Sequence, residues 1–174
     1  RYADRTITWS GSEVTPAFVE HLRGVEPGID VHLRDLASSP GPERYDYVLL
    51  AGTFYHLAGA DPREFEAFFR SLLGNCWSMC RRGLAFNLVT DAVEYRVDDL
   101  FYPDLGEVID MVRGLTRFFE IDHATPLYEY TVRLHREEAL SEQFTDQAYD
   151  RYLADRRAAK DPPRPPHDDS LERP

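Results

Sequence analysis

The chain has 174 residues, of which 43% are hydrophobic and 13% aromatic, enough to bury the core of one globular domain. Its net charge of −11 argues against binding to nucleic acid or to an anionic membrane surface, since both require clustered lysine and arginine. No apolar run approaches the roughly 20 residues that span a bilayer, and two cysteines are too few for a disulfide framework. We therefore expect a cytoplasmic protein.

Three strand patterns fall in the first third of the chain, at residues 6–13, 29–35 and 45–53. The first two end on acids, Glu13 and Asp35. Between them, Thr15 and Pro16 provide an N-cap and a first-turn proline for a helix that we expect to stop at Gly24. The third pattern is a near-continuous apolar run, which predicts a strand buried on both faces of a parallel sheet.

The middle of the chain continues this alternation and then changes it. Asp61 and Pro62 predict the start of a helix whose apolar stripe runs to Trp77 and which ends at residues 81–83. The patterns that follow predict a strand, a helix and two strands joined by a short turn, at residues 84–90, 104–115, 118–123 and 128–134. Because a short turn joins antiparallel neighbours, the sheet should finish with an antiparallel pair.

From residue 137 onward the composition becomes polar, which divides the chain into a domain of residues 1–136 and an extension of residues 137–174. The extension has one weak helix pattern, at residues 144–157. Five of the 12 prolines fall in its last part, from Pro162 to Pro174, and this composition predicts a disordered tail.

Four short segments carry a family resemblance: Ser12–Pro16, Arg34–Leu36, the strand that begins at Tyr45, and residues 82–87. In this order, and followed by an antiparallel strand pair, they resemble the class I S-adenosylmethionine-dependent methyltransferases over residues 6–136. The resemblance implies an α/β fold with a Rossmann-like methyltransferase sheet, mostly parallel with an antiparallel C-terminal strand hairpin. It also implies S-adenosyl-L-methionine as the cofactor.

The sequence departs from this family at its start. In the family an acidic strand end is followed by a glycine-rich turn, which approaches the methionine part of the cofactor, and nothing before Glu13 provides one. We therefore expect the first strand of the family's sheet and its helix to be absent from this chain. The missing segment was removed by truncation, lies outside this sequence or is supplied by a partner chain. The chain alone should be inactive.

The resemblance implies cofactor-binding roles at strand ends for six residues: Glu13, Val14, Asp35, Leu36, Phe54 and Tyr55. Glu13 would accept hydrogen bonds from the ribose hydroxyls and Asp35 from the adenine amino group, with Val14 and Leu36 beside the ring. Phe54 and Tyr55 would line the methionine and substrate side. Each acid also has a plainer interpretation, Glu13 as an acid favoured by the helix dipole and Asp35 as a loop acid. The cofactor interpretation requires positions 13, 35 and 55 to converge on one rim.

His56 follows the strand whose carboxyl end should face the transferred methyl group, so it is the candidate general base; otherwise it lines the pocket or lies at the surface. Residues 92–102 form a segment that could be a lid, and four residues in or near it are candidates for substrate binding: Asn87, Thr90, Tyr95 and Tyr102. The same segment also fits an ordinary connection whose aromatic side chains cover the sheet. We assign no metal site, because Cys76 and Cys80 lack two further soft ligands and fit core packing.

Taken with the resemblance, these residues imply S-adenosylmethionine-dependent methyl transfer to an oxygen, nitrogen or carbon atom of a small, non-anionic molecule. One alternative is a non-catalytic methyltransferase-like scaffold or interaction module that has lost the cofactor loop. A second alternative, a nucleotide-dependent oxidoreductase, predicts that the final strand is parallel. We expect no nucleic-acid or membrane partner, and a homo-oligomer is compatible with the sequence.

Overall fold

Residues 6–142, 150–151 and 154–157 are described by the computed structural model. In chain order their elements are β1 (Ser10–Glu13), α1 (Pro16–Val25), β2 (Asp30–Leu33), β3 (Tyr45–Leu50), α2 (Pro62–Met79), β4 (Cys80–Val89), α3 (Leu105–Arg113), β5 (Phe119–Asp122), β6 (Glu129–His135) and α4 (Glu137–Ser141). The chain divides into two units, residues 1–137 and 138–174. The helix predicted over residues 144–157 lies partly outside the described residues; 150–151 and 154–157 are helical. The predicted tail from Pro162 to Pro174 lies wholly outside them.

The described strands form two sheets. β1 and β2 pair in parallel, with Glu13 opposite Leu33. The second sheet has the strand order β3-β4-β6-β5, in which β3 and β4 are parallel and β6 runs antiparallel to both of its neighbours. The predicted α/β fold with an antiparallel C-terminal hairpin is thereby confirmed. The parallel final strand that the oxidoreductase alternative requires is contradicted.

The core lies between the larger sheet and helices α2 and α3. In an antiparallel pair, directly opposite residues share one face, and on β4 and β6 these facing pairs are buried: Leu84 with Leu134, Phe86 with Val132, and Leu88 with Tyr130. The apolar stripe of α2 packs on this face and includes Phe69, which is fully buried. The core therefore fixes β3, β4 and β6 beneath α2, with the carboxyl ends of β3 and β4 and the start of β6 at one edge.

Two predicted helix ends are wrong. Helix α1 continues through Gly24 to Val25, and α2 ends at Met79, where β4 begins without a loop. The guanidinium of Arg136 takes the place of a local stop signal for α2. It stacks on the Trp77 ring at 3.8 Å and donates to the Trp77 carbonyl oxygen at 2.6 Å. Gly83 lies in β4 instead, where a Cβ atom would come within 2.7 Å of the Leu134 carbonyl oxygen.

The prediction that the third strand is buried on both faces is also wrong. Val48 and Leu50 pack toward the core, whereas the side chains of Tyr47 and Leu49 are 56% and 62% exposed. The reason is that successive side chains of a strand point to opposite faces, and α2 packs against only one of them. Among the described strands, β3 pairs only with β4 and β1 only with β2. One edge of each is therefore unpaired within the described part of the chain.

The facing parts of the two sheets are linked by a side-chain contact. The hydroxyl of Tyr45, at the start of β3, donates to Ser10 Oγ, at the start of β1, over 3.1 Å. Neighbouring strands of one sheet lie about 4.8 Å apart and join through the main chain. β1 and β3 do not pair with each other among the described strands, so this contact joins them through side chains.

Candidate functional site

The candidate site residues lie at or just beyond the carboxyl ends of strands. Glu13 ends β1, residues 34–38 follow β2, and residues 51–56 follow β3. Because β6 is antiparallel to β4, its first residue, Glu129, lies opposite Val89 at the carboxyl end of β4. In open α/β sheets, ligands bind outside these carboxyl ends.

Glu13 is held rigidly by the start of α1. Its Oε1 accepts hydrogen bonds from the backbone nitrogens of Val14 and Thr15, both at 2.8 Å. Thr15 is the N-cap residue, but its side chain makes no capping bond. None of the described residues bonds to the second carboxylate oxygen of Glu13. Val14, next to it, is 61% exposed. The carboxylate thus bonds to the helix start through one of its two oxygens.

Asp35 closes its own turn after β2. Its Oδ1 accepts from the Ala37 backbone nitrogen at 2.9 Å, and its Oδ2 accepts from the Ser38 hydroxyl at 2.5 Å. These bonds, with that of Ser38 the stronger, lower the pKa of the Asp35 carboxyl below its ordinary value. The Leu36 carbonyl accepts from the Asn75 side chain of α2 at 2.8 Å. The turn is therefore fixed to α2, with an exposed, ionised carboxylate at its start.

A second polar cluster joins the end of β3 to β4 and β6. The Tyr55 hydroxyl donates to the Glu129 carboxylate and accepts from Asn87 Nδ2, which also donates to Glu129 over 3.1 Å. Asn87 Oδ1 accepts from the Gly52 nitrogen at 2.8 Å, and Gly52 has a φ of +67°, a conformation that favours glycine. Burial and the neighbouring Glu129 raise the pKa of Tyr55, so its hydroxyl stays protonated. This cluster fixes the chain between β3 and His56.

Glu129 belongs to this cluster and was missed by the sequence analysis. The signal was present, because the predicted antiparallel pair brings the start of the last strand to the carboxyl end of its neighbour. A carboxylate between two tyrosines at that position is a candidate for the same edge.

His56 makes a contact that the sequence analysis also missed. Its Nδ1 lies 2.9 Å from Asp99 Oδ2, and the two side chains are 67% and 55% exposed. The backbone of His56 forms an antiparallel bridge with Leu100. Asp99 lies in the predicted lid segment, which therefore folds back on the chain after β3. No sequence spacing connects residues that are this far apart.

Three predicted site residues are used inside the protein instead. Phe54 is fully buried, with its ring centroid 4.4 Å from that of Phe69, so the expectation that it lines the methionine side is wrong. Thr90 is 4% exposed, and its hydroxyl accepts from the Ala92 backbone nitrogen at 3.2 Å, so it does not face a substrate. The side-chain amide of Asn87 makes its hydrogen bonds within the cluster that contains Tyr55. Phe54 and Thr90 are buried, whereas Asn87, which lies between the core residues of β4, is partly exposed and is held by the cluster.

The two remaining substrate candidates differ in exposure. Tyr95 is 70% exposed. Tyr102 accepts a hydrogen bond from the Val97 nitrogen at 3.1 Å, and the Arg96 guanidinium lies 5.0 Å from its ring centroid. Tyr102 also lines an open pocket of about 180 Å³ between the first turns of α2 and α3. Tyr95 is free to contact a ligand, whereas Tyr102 holds the lid segment together.

Within residues 6–142, 150–151 and 154–157, no three His, Cys, Asp or Glu side chains are grouped to hold a metal ion. Cys76 and Cys80 are buried free thiols, and burial raises the pKa of Cys76 to about 11. None of the described helices combines the length and hydropathy that a bilayer-spanning helix needs.

No family model matches the sequence, and no curated protein matches it at a significant level. The structure is similar to a TehB-like S-adenosylmethionine-dependent methyltransferase from Corynebacterium glutamicum, with a TM-score of 0.54 and 10% identity over 75% of this chain and 68% of that one. Magnesium protoporphyrin IX methyltransferase from Synechocystis with bound S-adenosylhomocysteine gives a TM-score of 0.51 and 11% identity over 75% and 64%. The chain has the fold of the class I methyltransferases.

A protein described as a possible exported protein from Bordetella parapertussis shares this fold too, with a TM-score of 0.58 and 11% identity over 78% of this chain and 56% of that one. The chain thus spans 64% and 56% of the length of the Synechocystis and Bordetella proteins. The antiparallel strand β6 is the feature of the sheet β3-β4-β6-β5 that is characteristic of the class I methyltransferase fold.

Proposed function

We propose that this chain forms most of an S-adenosylmethionine-dependent methyltransferase that acts on a small molecule. The observation that carries the proposal is the sheet with an antiparallel strand between β4 and β5, on the same fold as methyltransferases whose structures hold the cofactor or its product. The rigidly held carboxylate of Glu13 at the end of β1 supports it.

The hydrogen-bond acceptors at the strand ends fit the donors of an adenosine. The second oxygen of Glu13 is an ionised acceptor at the position proposed for the ribose hydroxyls, which are donors. Val14 offers an exposed apolar face beside it, and Asp35 and the Leu36 backbone would meet the adenine edge. When bound, S-adenosylmethionine supplies a methyl group on a sulfonium sulfur. Tyr55 would limit the pocket on the methionine side, with its orientation set by Glu129.

The charge of the lid segment favours a neutral or cationic acceptor. The lid segment, residues 92–102, carries three acids, and Arg96 is its one basic residue. An anionic acceptor would meet this field at close range and be repelled. His56 would then accept a proton from the acceptor if the attacking atom is an oxygen or nitrogen. We place the protein in the cytoplasm because both cysteines are free thiols.

Calorimetric titration with S-adenosylhomocysteine, on protein made from the complete coding sequence, tests the proposal. We expect binding that weakens about 10-fold or more in Glu13→Ala, because a charge-assisted hydrogen bond is lost. The matched control is Glu20→Ala, an exposed acid within α1. Equal affinity for wild type and Glu13→Ala would remove the ribose assignment, and absence of binding by wild type would refute the proposed function.

The second candidate is a methyltransferase-like scaffold that binds a partner without catalysis. The observation that favours it is that no glycine-rich turn follows an acid-ended strand in these 174 residues. A coding sequence without an upstream acidic strand and Gly-x-Gly turn, together with no heat of S-adenosylhomocysteine binding, would support the scaffold. An upstream turn of that kind would support the enzyme.

A further inference from the structure

The surroundings of the contact between His56 and Asp99 determine which group donates the hydrogen bond and which accepts it. We infer that Asp99 is a positioning residue for His56: its carboxylate accepts a hydrogen bond from Nδ1–H, which leaves Nε2 to take the proton that the methyl acceptor loses. This inference rests on the proposed function for its chemical consequence. The contact itself, at 2.9 Å, is a property of the chain alone.

Asp99 is held in place by bonds other than the one to His56. Its Oδ1 accepts from the Ala58 nitrogen at 3.1 Å, and its backbone carbonyl accepts from the Leu57 nitrogen at 2.8 Å. The Phe101 nitrogen donates to the Tyr55 carbonyl at 2.8 Å, on the other side of the bridge. Ala58 has a φ of +53°, a left-handed conformation that is uncommon for residues other than glycine. The remaining oxygen, Oδ2, is therefore directed at the histidine by the backbone.

The chemistry of the two groups fixes the tautomer. An ionised carboxylate has no proton to donate, and neutral imidazole has a single N–H, so the hydrogen bond at Nδ1 requires the proton to be on Nδ1. Nε2 then carries the free lone pair. Both side chains are more than half exposed, so the pair adds little to the free energy of unfolding. Its effect is on the orientation and tautomer of the ring.

In the proposed reaction the Nδ1–H tautomer can accept the proton that is released. A lone pair of the acceptor forms the new bond to the methyl carbon, and the carbon–sulfur bond breaks with its electrons going to sulfur. The proton that the acceptor loses goes to Nε2 of His56. Asp99 stays ionised throughout and faces the positive charge that then develops on the imidazole.

The first test uses nitrogen-15 NMR of the imidazole at about pH 8.5, which is well above the ordinary range in which histidine side chains titrate. We expect wild-type His56, assigned with a His56→Gln variant, to be mainly the Nδ1–H tautomer. Asp99→Asn keeps an oxygen for the Ala58 nitrogen but can turn an amide N–H toward Nδ1, so the Nε2–H tautomer should dominate. Asp98→Asn, at the neighbouring exposed acid, should leave the tautomer unchanged. A wild-type Nε2–H tautomer, or equal populations in Asp99→Asn and wild type, would overturn the inference.

The second test measures methyl transfer by the complete protein. We expect Asp99→Asn to lower kcat about 10- to 100-fold without changing the affinity for S-adenosylhomocysteine, since it leaves the cofactor residues in place. Asp46→Asn, at an exposed acid outside the lid segment, should be as active as wild type. Full activity of Asp99→Asn would contradict the inference while leaving the proposed function intact. An inactive wild-type protein would refute the function instead, and the tautomer measurement, which needs no cofactor, would still decide the role of Asp99.

Discussion

Phe54 is surrounded by rings from two elements. Its centroid lies 4.4 Å from that of Phe69 on α2 and 6.0 Å from that of Phe86 on β4, and its side chain is fully buried. The residue follows β3 directly, so it anchors the loop that carries Tyr55 and His56 to the core. Its contribution is therefore to the free energy of unfolding and to the position of its neighbours.

We expect Phe54→Ala to lower the free energy of unfolding by about 3–5 kcal/mol, because it removes a large apolar group and leaves a cavity. Phe68→Ala is the matched control: its ring is 6.3 Å from that of Phe54 but 37% exposed, so its loss should be much smaller. Urea unfolding followed by circular dichroism measures both. Equal losses would show that Phe54 is not part of the core.

Glu43 provides a pH dependence with a definite sign. Two hydrogen bonds from the Arg34 guanidinium lower its pKa from the ordinary 4.5 to about 2. The folded state thus favours the ionised carboxylate. Its contribution to stability is complete above pH 4.5 and is lost as the pH falls toward 2. Because the side chain is 36% exposed, solvent and salt screen the effect.

Glu43→Gln should therefore flatten the decline of the urea midpoint between pH 4.5 and 2. Glu20→Gln, an exposed acid of α1, should keep the wild-type decline. Added salt should reduce the difference between wild type and Glu43→Gln at pH 5 and above. Parallel curves for all three proteins would argue against the ion pair.

At the scale of single residues, sequence predicted positions better than roles. Glu13 and His56 could be placed at strand ends because strand patterns are local. The contact of Asp99 with His56 could not be predicted, since 43 residues separate the two. The antiparallel pairing indicated the position of Glu129 but not its bond to Tyr55, 74 residues away. Phe54 was assigned to the site because the sequence does not show which face of the chain it occupies just beyond a strand.

The starts of α1 and α2 differ in whether the side chain of the N-cap residue makes a capping hydrogen bond. The Asp61 carboxylate accepts from the Arg63 nitrogen at 2.9 Å at the start of α2, while the Thr15 side chain makes no such bond at the start of α1. Both are followed by a proline in the first turn. The carboxylate of Glu13 takes over at α1.

Asp61→Ala should lower the free energy of unfolding by about 0.5–2 kcal/mol, the usual cost of losing a capping side chain. Thr15→Ala should cost clearly less, because no capping bond is lost. Chemical denaturation of the two variants beside wild type gives the comparison. A larger loss for Thr15→Ala than for Asp61→Ala would contradict this assignment of the caps.

At the scale of elements, starts were predictable and ends were not. The beginnings of α2 and α3 follow from Asp61 and Asp104, whose carboxylates bond to nitrogens two and three residues ahead. The end of α2 depends on Arg136, which lies far along the chain and reaches back to Trp77. A local reading chose residues 81–83 because glycine commonly ends helices, but Gly83 serves the close approach of β4 and β6.

The two sheets in the described part of the molecule have four edge strands, β1, β2, β3 and β5. Among them, β3 presents the exposed side chains of Tyr47 and Leu49, and an apolar, unpaired strand is a template for pairing with another chain. The order of elements predicted this sheet correctly. The exposure of β3 was not predictable from its apolar pattern, which reports a buried strand only if neighbours cover both faces.

Leu49→Lys should reduce association of this chain, measured by light scattering against protein concentration, because a charge on an edge strand opposes pairing. Leu127→Lys is the control: this side chain is 59% exposed in the turn between β5 and β6, and the variant changes the net charge equally. If both variants scatter like wild type, the β3 edge is not the site of association. If both variants scatter less than wild type by the same amount, the effect comes from the change in net charge alone.

The Tyr45–Ser10 link between the two sheets also bears on thermodynamic linkage. A peptide strand that hydrogen-bonds to β1 and β3 together recognises only the folded arrangement, in which Tyr45 and Ser10 hold those edges at a set separation. By mass action, its concentration then adds to the stability of the fold, by about 2.7 kcal/mol at 100 times its dissociation constant. The fraction of folded chains would thus depend on the concentration of that peptide.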